Sequence, residues 1–434
     1  MTEGYKEAEI GLIPENWNVE ELNFFVELLT YGFTNPMPSV VNGPYLITAK
    51  NVNNGKILYS ECRRTTHEAF NNLLTDKSKP KLNDILVTKD GTLGRIGLVD
   101  KDNCCINQSV ALLRTNDRIV PKFLKYLLES PFYQAKMKLD ARGTTIQHIQ
   151  ITVLKKMEIA VPPLSEQKEI VEIIAKLDDK INLNDQMNQT LESIGQAIFK
   201  HWFVDFEFPD ENGNPYKSSG GEMIDSDLGE IPKGWKVSNL KDFGKVICGK
   251  TPPKSRHEYF NGKVPFIKIP DMHGQTFVVK TEDTLSEEGK DFQANKTIPP
   301  KSICVSCIAT VGLVCINDKE SQTNQQINSI IPNYDYLTPF LYFKLSSMKD
   351  FLKILASGGS ATLNLNTKNF SNIKIANPES FIMKNYYNLI NHLFEAILIN
   401  SQENKYLSKI RDSLLPKLMS GKIRVNIPEE ATAK

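Results

Sequence analysis

Gly11-Leu-Ile-Pro-Glu-Asn-Trp17-Asn-Val-Glu-Glu-Leu22 returns 218 residues later as Gly229-Glu-Ile-Pro-Lys-Gly-Trp235-Lys-Val-Ser-Asn-Leu240, with six of its twelve positions identical. Self-similarity at a fixed offset decides the architecture before any single element does. At the same offset Ile85, Val87, Thr92, Gly94 and Pro121 match Ile303, Val305, Thr310, Gly312 and Pro339. Asn107-Gln108 answers Asn324-Gln325 at an offset of 217. Beyond that point the offset is 216, through Gly143/Gly359, Ile159-Ala160/Ile375-Ala376, Pro162/Pro378, Leu177/Leu393, Ile181/Ile397, Leu191/Leu407, Ile194/Ile410 and Ile198/Leu414. The chain is a tandem duplication.

Each half divides into two kinds of sequence. The front part mixes short β-branched runs with turn signals, as in Asp84-Ile-Leu-Val-Thr88 before Lys-Asp-Gly-Thr-Leu-Gly94, and predicts a small mixed α/β (α+β) domain. The back part follows Pro162-Pro163, with Ser165 expected as helix N-cap, and runs to Phe203 without a proline. Ile170, Ile174, Leu177, Ile181, Asn184, Asn188, Leu191, Gly195, Ile198 and Trp202 alternate in steps of four and three, the spacing of a coiled-coil seam. Tyr386, Ile390, Leu393, Ile397, Asn400, Asn404, Leu407, Arg411, Leu414 and Leu418 repeat it, and Pro416 is expected to end or kink the last turn. At ~1.5 Å per residue each rod would reach ~58 Å. Asn184, Asn188, Asn400 and Asn404 are candidate register-setting residues, a polar layer in an apolar seam. Between the halves, Pro209 to Pro215 and Ser218-Ser-Gly-Gly221 form a polar, breaker-rich linker.

Composition sets broad limits. The 434 residues suggest two to four domains, and 40% hydrophobic with 24% charged residues is that of an ordinary globular chain. Ile303 to Ile316 is the longest apolar stretch and falls short of the ~20 residues a membrane helix needs. No secretion signal opens the chain, and seven unpatterned cysteines suit a reducing compartment, so a cytoplasmic protein without membrane partners is expected. The net charge of +1 leaves partners to be argued from local clusters.

Several motifs are decoys. Gly244-Lys-Val-Ile-Cys-Gly-Lys250-Thr251 fits the phosphate-loop pattern, but Pro252 and Pro253 forbid the helix such a loop must enter. Gly91, Gly94 and Gly97 read as a tight turn. Cys304-Val-Ser-Cys307 has metal spacing without a second close pair, so no metal is expected. The six histidines show no helical pairing around an acid, no glycine-flanked nucleophilic serine occurs, and no Asn/Asp-Pro-Pro-Tyr/Phe methyltransferase motif is present. No catalytic residues are expected. Basic residues instead cluster at Lys77, Lys79 and Lys81, at Lys136, Lys138 and Arg142, and from Lys241 to Arg256, where five bases face one acid. Such clusters in a repeated domain suit phosphate contacts.

These residues carry a family resemblance. Ile13-Pro-x-x-Trp17 and Ile231-Pro-x-x-Trp235 begin it, and Pro265-Phe-Ile-Lys-Ile-Pro-Asp-Met272, with a weaker partner at Pro44-Tyr-Leu-Ile, continues it. The Gly-Thr-Leu-Gly turn, the Asn-Gln pair, Gly143-Thr-Thr, Pro162-Pro-Leu-Ser-Glu-Gln167, Phe199-Lys-His-Trp-Phe-Val-Asp-Phe206 and Leu414-Leu-Pro-Lys-Leu-Met-Ser-Gly421 complete it. Together they resemble the specificity subunit of a type I restriction–modification enzyme. The second half departs at Asn377-Pro378-Glu379, where the first has Pro-Pro-Leu-Ser-Glu-Gln.

The resemblance implies two target-recognition domains, each reading half of a split, asymmetric double-stranded DNA target. Two long antiparallel coiled-coil helices would separate them about a pseudo-two-fold. Residues 1–162 and 226–379 would be the recognition domains, 163–206 and 380–422 the spacer helices, 207–225 a linker and 423–434 a tail. Two methyltransferase subunits and restriction subunits would be the partners, and S-adenosylmethionine, ATP and Mg would serve the complex, none bound by this chain. Candidate DNA contacts are Lys77, Lys79, Lys81, Lys89, Thr92, Arg95, Arg142, Thr144, Lys250, Thr251, Lys254, Arg256 and Lys268. The rivals are a subunit of a related system lacking an ATP-driven restriction subunit, a coiled-coil scaffold that binds no DNA, and an enzyme with its own active site.

Overall fold

The computed structural model describes residues 4–53, 55–139, 148–357 and 363–426. It divides into two units: Met1–Asp179 with Ser408–Lys434 form unit 1, and Lys180–Leu407 form unit 2. Two 40-residue helices, α1 (Leu164–Phe203) and α2 (Ser380–Met419), each contribute to both units.

In unit 1 a four-stranded antiparallel sheet runs in the order Ile96–Leu98, Ile85–Thr88, Val110–Thr115, Val26–Tyr31. All four residues of Ile85–Thr88 are buried, as expected of a central strand covered on both faces. A second sheet sets Cys104–Ile106 parallel to Val40–Ile47, with Arg63–Arg64 on the other edge. Unit 2 repeats this plan. Its larger sheet orders Gly244–Cys248, Ile327–Pro332, Ile303–Ser306, Val314–Asn317 and Phe277–Val278. Its smaller sheet sets Gln322–Thr323 parallel to Phe260–Ile267, with Asp283–Leu285 antiparallel.

Both cores are closed by helix segments from the two halves of the sequence. Trp17, Phe123 and Tyr133 pack in unit 1 with Ile170 and Ile174 of α1 and with Leu415, Leu418 and Met419 of α2. Trp235 and Phe340 pack in unit 2 with Tyr386, Ile390 and Leu393 of α2 and with Phe199, Trp202 and Phe203 of α1. The positions filled by Leu415, Leu418 and Met419 are those of Phe199, Trp202 and Phe203, 216 residues earlier.

All twenty seam residues of the two helices are buried or half-buried. Within unit 1, Arg411 pairs with Asp178 at 3.1 Å. Within unit 2, Asn184 Nδ2 donates to Asn404 Oδ1 at 2.9 Å and to a Glu403 carboxylate oxygen at 2.7 Å, while Asn400 Nδ2 donates to Asn188 Oδ1 at 2.9 Å. Partner numbers fall on α2 as they rise on α1, so the helices are antiparallel. The asparagines form two layers, 184 with 404 and 188 with 400. Gly195 interrupts the seam because the Phe343 ring lies against it: a Cβ there would stand 2.6 Å from Cζ.

Local expectations shift in four places. Helix α1 starts at Leu164, and the Gln167 amide already donates to Pro163 O at 3.0 Å, so Ser165 lies in the first turn rather than at the cap. Pro416 does not end α2, which continues to Met419; one hydrogen bond is forfeited in the last turn, where Ser420 Oγ donates to Pro416 O at 2.8 Å. Strand pairing matches Ile267 with Ile47, not Pro265 with Pro44: Ile47 lies beside Ile106, and Ile267 beside Thr323. That one-residue slip is why the two motifs resemble each other only loosely. In the segment read as linker, the Phe208 ring stacks on Tyr216 at 4.7 Å and on Trp235 at 5.3 Å, which anchors it to unit 2.

Candidate nucleic-acid interface

One feature is built the same way in each unit, a crossing of two loops sealed by a glycine. In unit 1 the strand Val26–Tyr31 leads into Gly32, whose amide donates to Val110 O at 3.3 Å; the Phe33 amide donates to Ile106 O at 3.1 Å. Beneath it the Asn107 amide donates to Ile47 O at 3.2 Å, and Asn107 Oδ1 accepts from the Ser109 amide at 3.2 Å, folding a tight turn. In unit 2 the amides of Gly249, Lys250 and Asn324 donate to Ile327 O, Thr323 O and Ile267 O at 3.0, 2.9 and 3.2 Å. Asn324 Oδ1 accepts from the Gln326 amide at 3.1 Å. A Cβ on Gly32 would overlap the Ile106 carbonyl oxygen, and one on Gly249 the Asn324 carbonyl oxygen, so only glycine lets these backbones cross.

Polar side chains stand around the crossings, and some of them differ between the units. In unit 1 a cleft of about 210 Å³ is lined by Thr34, Asn35, Thr48, Arg63 and Gln108 among others. Lys89 stands beside it, its amide donating to Ser109 O at 2.9 Å and its ammonium paired with Asp90 at 2.9 Å. In unit 2 Thr251 Oγ1 donates to Gln325 Oε1 at 2.7 Å, and the Lys250 ammonium lies 5.5 Å from the Phe292 ring centre. Lys268 takes the place of Thr48, and Asp283 that of Arg63. Lys268 is 2.7 Å from Asp283 and 3.5 Å from Glu282, and hydrogen bonding to Asp283 holds its ammonium above the usual lysine range.

The sequence candidates divide accordingly. Lys250, Thr251 and Lys268 meet at the unit 2 crossing, and Lys254 and Arg256 follow, exposed, in the same loop, with Arg256 paired to Glu258 at 3.2 Å. Lys89 belongs to the unit 1 crossing. Lys77 and Lys81 are exposed beyond the helix His67–Leu73, and the Lys79 ammonium lies 5.0 Å from the Phe70 ring centre. Thr92 is exposed in the glycine turn, where its carbonyl accepts from Thr88 Oγ1, and Arg95 Nη1 donates to Val52 O at 3.4 Å. Lys136 is paired with Glu9. Arg142 and Thr144 lie outside the described residues.

Sequence reasoning passed over Thr34, Asn35, Arg63, Gln108 and Gln325. A signal was present: Gly32-x-Thr34-x-Pro36 recurs as Gly249-x-Thr251-x-Pro253 at the same offset of 217 as the Asn-Gln pair. The phosphate-loop match is a strand, Gly244–Cys248, that enters this crossing rather than a helix. Cys304 and Cys315 face each other on paired strands, and burial pushes the Cys315 thiol well up; burial likewise raises Cys104 and Cys105 to about 12. Thiols raised in this way, Cys104, Cys105 and Cys315, are neutral and poor metal ligands or nucleophiles. Among the described residues, no group of three or more His, Cys, Asp or Glu could hold a metal ion, and no helix is long and apolar enough to cross a membrane.

Two copies of one α/β module, each presenting a polar crossing of the same construction and joined by paired long helices, define a duplicated recognition protein. The chain belongs to the type I restriction modification DNA specificity family, whose model matches residues 37–193 and 232–419. It is 42% identical over 378 residues to the specificity subunit of the type I restriction enzyme HindI of Haemophilus influenzae, covering 75% of this chain and 82% of that one. Similarity to the MjaIX specificity subunit of Methanocaldococcus jannaschii is 28% over 436 residues, 97% and 96% of the two chains. The fold matches a crystal structure of the type I restriction–modification S subunit from M. genitalium, with a TM-score of 0.55 at 20% identity over 93% of this chain and 96% of that one.

Proposed function

We propose that this chain is the non-catalytic specificity subunit of a type I restriction–modification complex, each unit reading one half of a split DNA target. The observation that carries the reading is the crossing built twice on the same backbone with different side chains. A shared scaffold gives both readers the same approach to a duplex, and Thr48 against Lys268 and Arg63 against Asp283 make the two halves select different sequences. Lys250, Lys254, Arg256 and Lys89 supply cations for phosphate contacts, which position a reader without selecting bases.

The exposed faces of the two helices support the proposed partner set. Apolar side chains are exposed at Ile173, Leu183 and Ile194 of α1, and at Leu389, Ile399 and Ile410 of α2. Each of the first three lies 216 residues before its counterpart. Equivalent exposed stripes on equivalent helices suit two copies of one partner, here two methyltransferase subunits, with restriction subunits joining that core. S-adenosylmethionine, ATP and Mg then belong to those partners. The test is to express the chain with its methyltransferase and map methylated adenines. A two-part asymmetric motif is expected; a single contiguous motif, or methylation by the chain alone, would end the reading.

A further inference from the structure

Each crossing carries one exposed glutamine. Gln108 and Gln325 are exposed at equivalent places, while the asparagines before them spend their side-chain oxygens on backbone amides. An exposed side chain with no packing role is free to drift in a diverged repeat, and side chains around these glutamines have drifted: exposed Asn35 stands against buried Pro252, and half-buried Thr48 against half-buried Lys268. The glutamine and the threonine facing it, Thr34 or Thr251, are the same in both units. In unit 2 the Thr251 hydroxyl donates to Gln325 Oε1 at 2.7 Å, which fixes the amide's orientation and leaves one lone pair and both Nε2 hydrogens free to face outward. In unit 1 Thr34 and Gln108 line one cleft.

We propose that Gln108 and Gln325 read the same base, an adenine, at equivalent positions of the two half-sites, while their divergent neighbours read the bases that differ. A primary amide sets an acceptor beside a donor, and adenine offers its complement in the major groove, N6 as donor and N7 as acceptor. The inference rests on the specificity-subunit reading and deepens it.

The experiment uses the full complex of this chain with its methyltransferase partners. Once methylation mapping has given the target, competition binding is measured against duplexes carrying each base at each target position. Gln325→Ala should lower discrimination roughly 10- to 100-fold at one adenine of one half-site, and Gln108→Ala at the equivalent adenine of the other. Gln325→Glu keeps only acceptors and should shift that position toward cytosine, whose N4 is a donor. Uniform weakening on every sequence would mark a phosphate contact and overturn the proposal. So would relaxation of both half-sites by one substitution, or unchanged discrimination. A wild-type complex that selects no sequence would instead sink the specificity-subunit reading on which the proposal stands.

Discussion

Glu166 lies in unit 1 with no exposed side-chain surface, and three donors converge on it: Arg424 Nε at 3.0 Å, Arg424 Nη2 at 3.2 Å and the Trp17 indole at 3.3 Å. In unit 2 the corresponding residues, 216 away, are Ile382 and Phe208, and Phe208 stacks on Trp235. The two units thus close the same seat by opposite chemistry, one ionic and one apolar. Arg424→Met keeps most of the aliphatic stem and removes the charge, leaving a buried carboxylate with one neutral donor. Losing one partner of a fully buried pair costs about 3–5 kcal/mol. The Arg424 side chain is 42% exposed, so water screens the pair and the expected loss is about 1–3 kcal/mol. Hydrogen-exchange mass spectrometry reads it unit by unit: amides of residues 4–179 that exchange through global opening of unit 1 should speed up about 5- to 150-fold, while residues 180–407 stay unchanged. Glu166→Ile with Arg424→Phe, copying unit 2, should restore stability to within about 1 kcal/mol, because an apolar replacement removes the desolvation cost along with the attraction. It leaves the Trp17 indole without an acceptor, as the Trp235 indole already is among the described residues. Unchanged exchange in Arg424→Met, or a double variant worse than the single, would refute the reasoning.

Asn188→Leu alone should cost about 1–3 kcal/mol by leaving Asn400 unpaired, and adding Asn400→Leu should return urea stability to the wild-type value or above while loosening helix register. Gly249→Ala should destabilise unit 2 by about 1–3 kcal/mol and abolish selection in one half-site only, measured by denaturation and by methylation mapping; a variant with normal selection would show that the crossing is not the reader. Burial holds Lys344 below the usual lysine range, so its contribution to unit 2 is present at high pH and falls away as pH drops through the folded-state value. Lys344→Met should therefore gain stability in urea titrations, by more at pH 7 than at pH 11; an equal gain at both would exclude the charge as the cause.

What was legible in the sequence depended on how local its cause was. The duplication and the helix seam stand in the chain as periodic matches, and the folded helices bury those same positions. The crossing escaped notice because the two variable positions of its Gly-x-Thr-x-Pro both differ, Phe33 against Lys250 and Asn35 against Pro252, and because its purpose, a backbone passing over a carbonyl, leaves only glycine as a mark. Lys268 looked free because Asp283, on a neighbouring strand, comes beside it only through sheet pairing. Trp17 and Trp235 look identical in the repeat, yet the carboxylate that distinguishes them, Glu166, is 149 residues from Trp17, and Arg424, which pairs with that carboxylate, lies 258 residues further on.

The shared helix ends also order events in time. Unit 2 is one continuous stretch, Lys180–Leu407, and can condense as soon as that stretch has left the ribosome. Unit 1 is made first but lacks Leu415, Leu418, Met419 and Arg424 until the whole of unit 2 has been translated. At ~5–20 residues per second the first-made domain stands open for tens of seconds while the second is synthesised. Its final contacts close loops of hundreds of residues, the slow kind of step in folding. The domain made first finishes folding last, so a chain cut short between Leu407 and Leu415 loses its first reader and keeps its second.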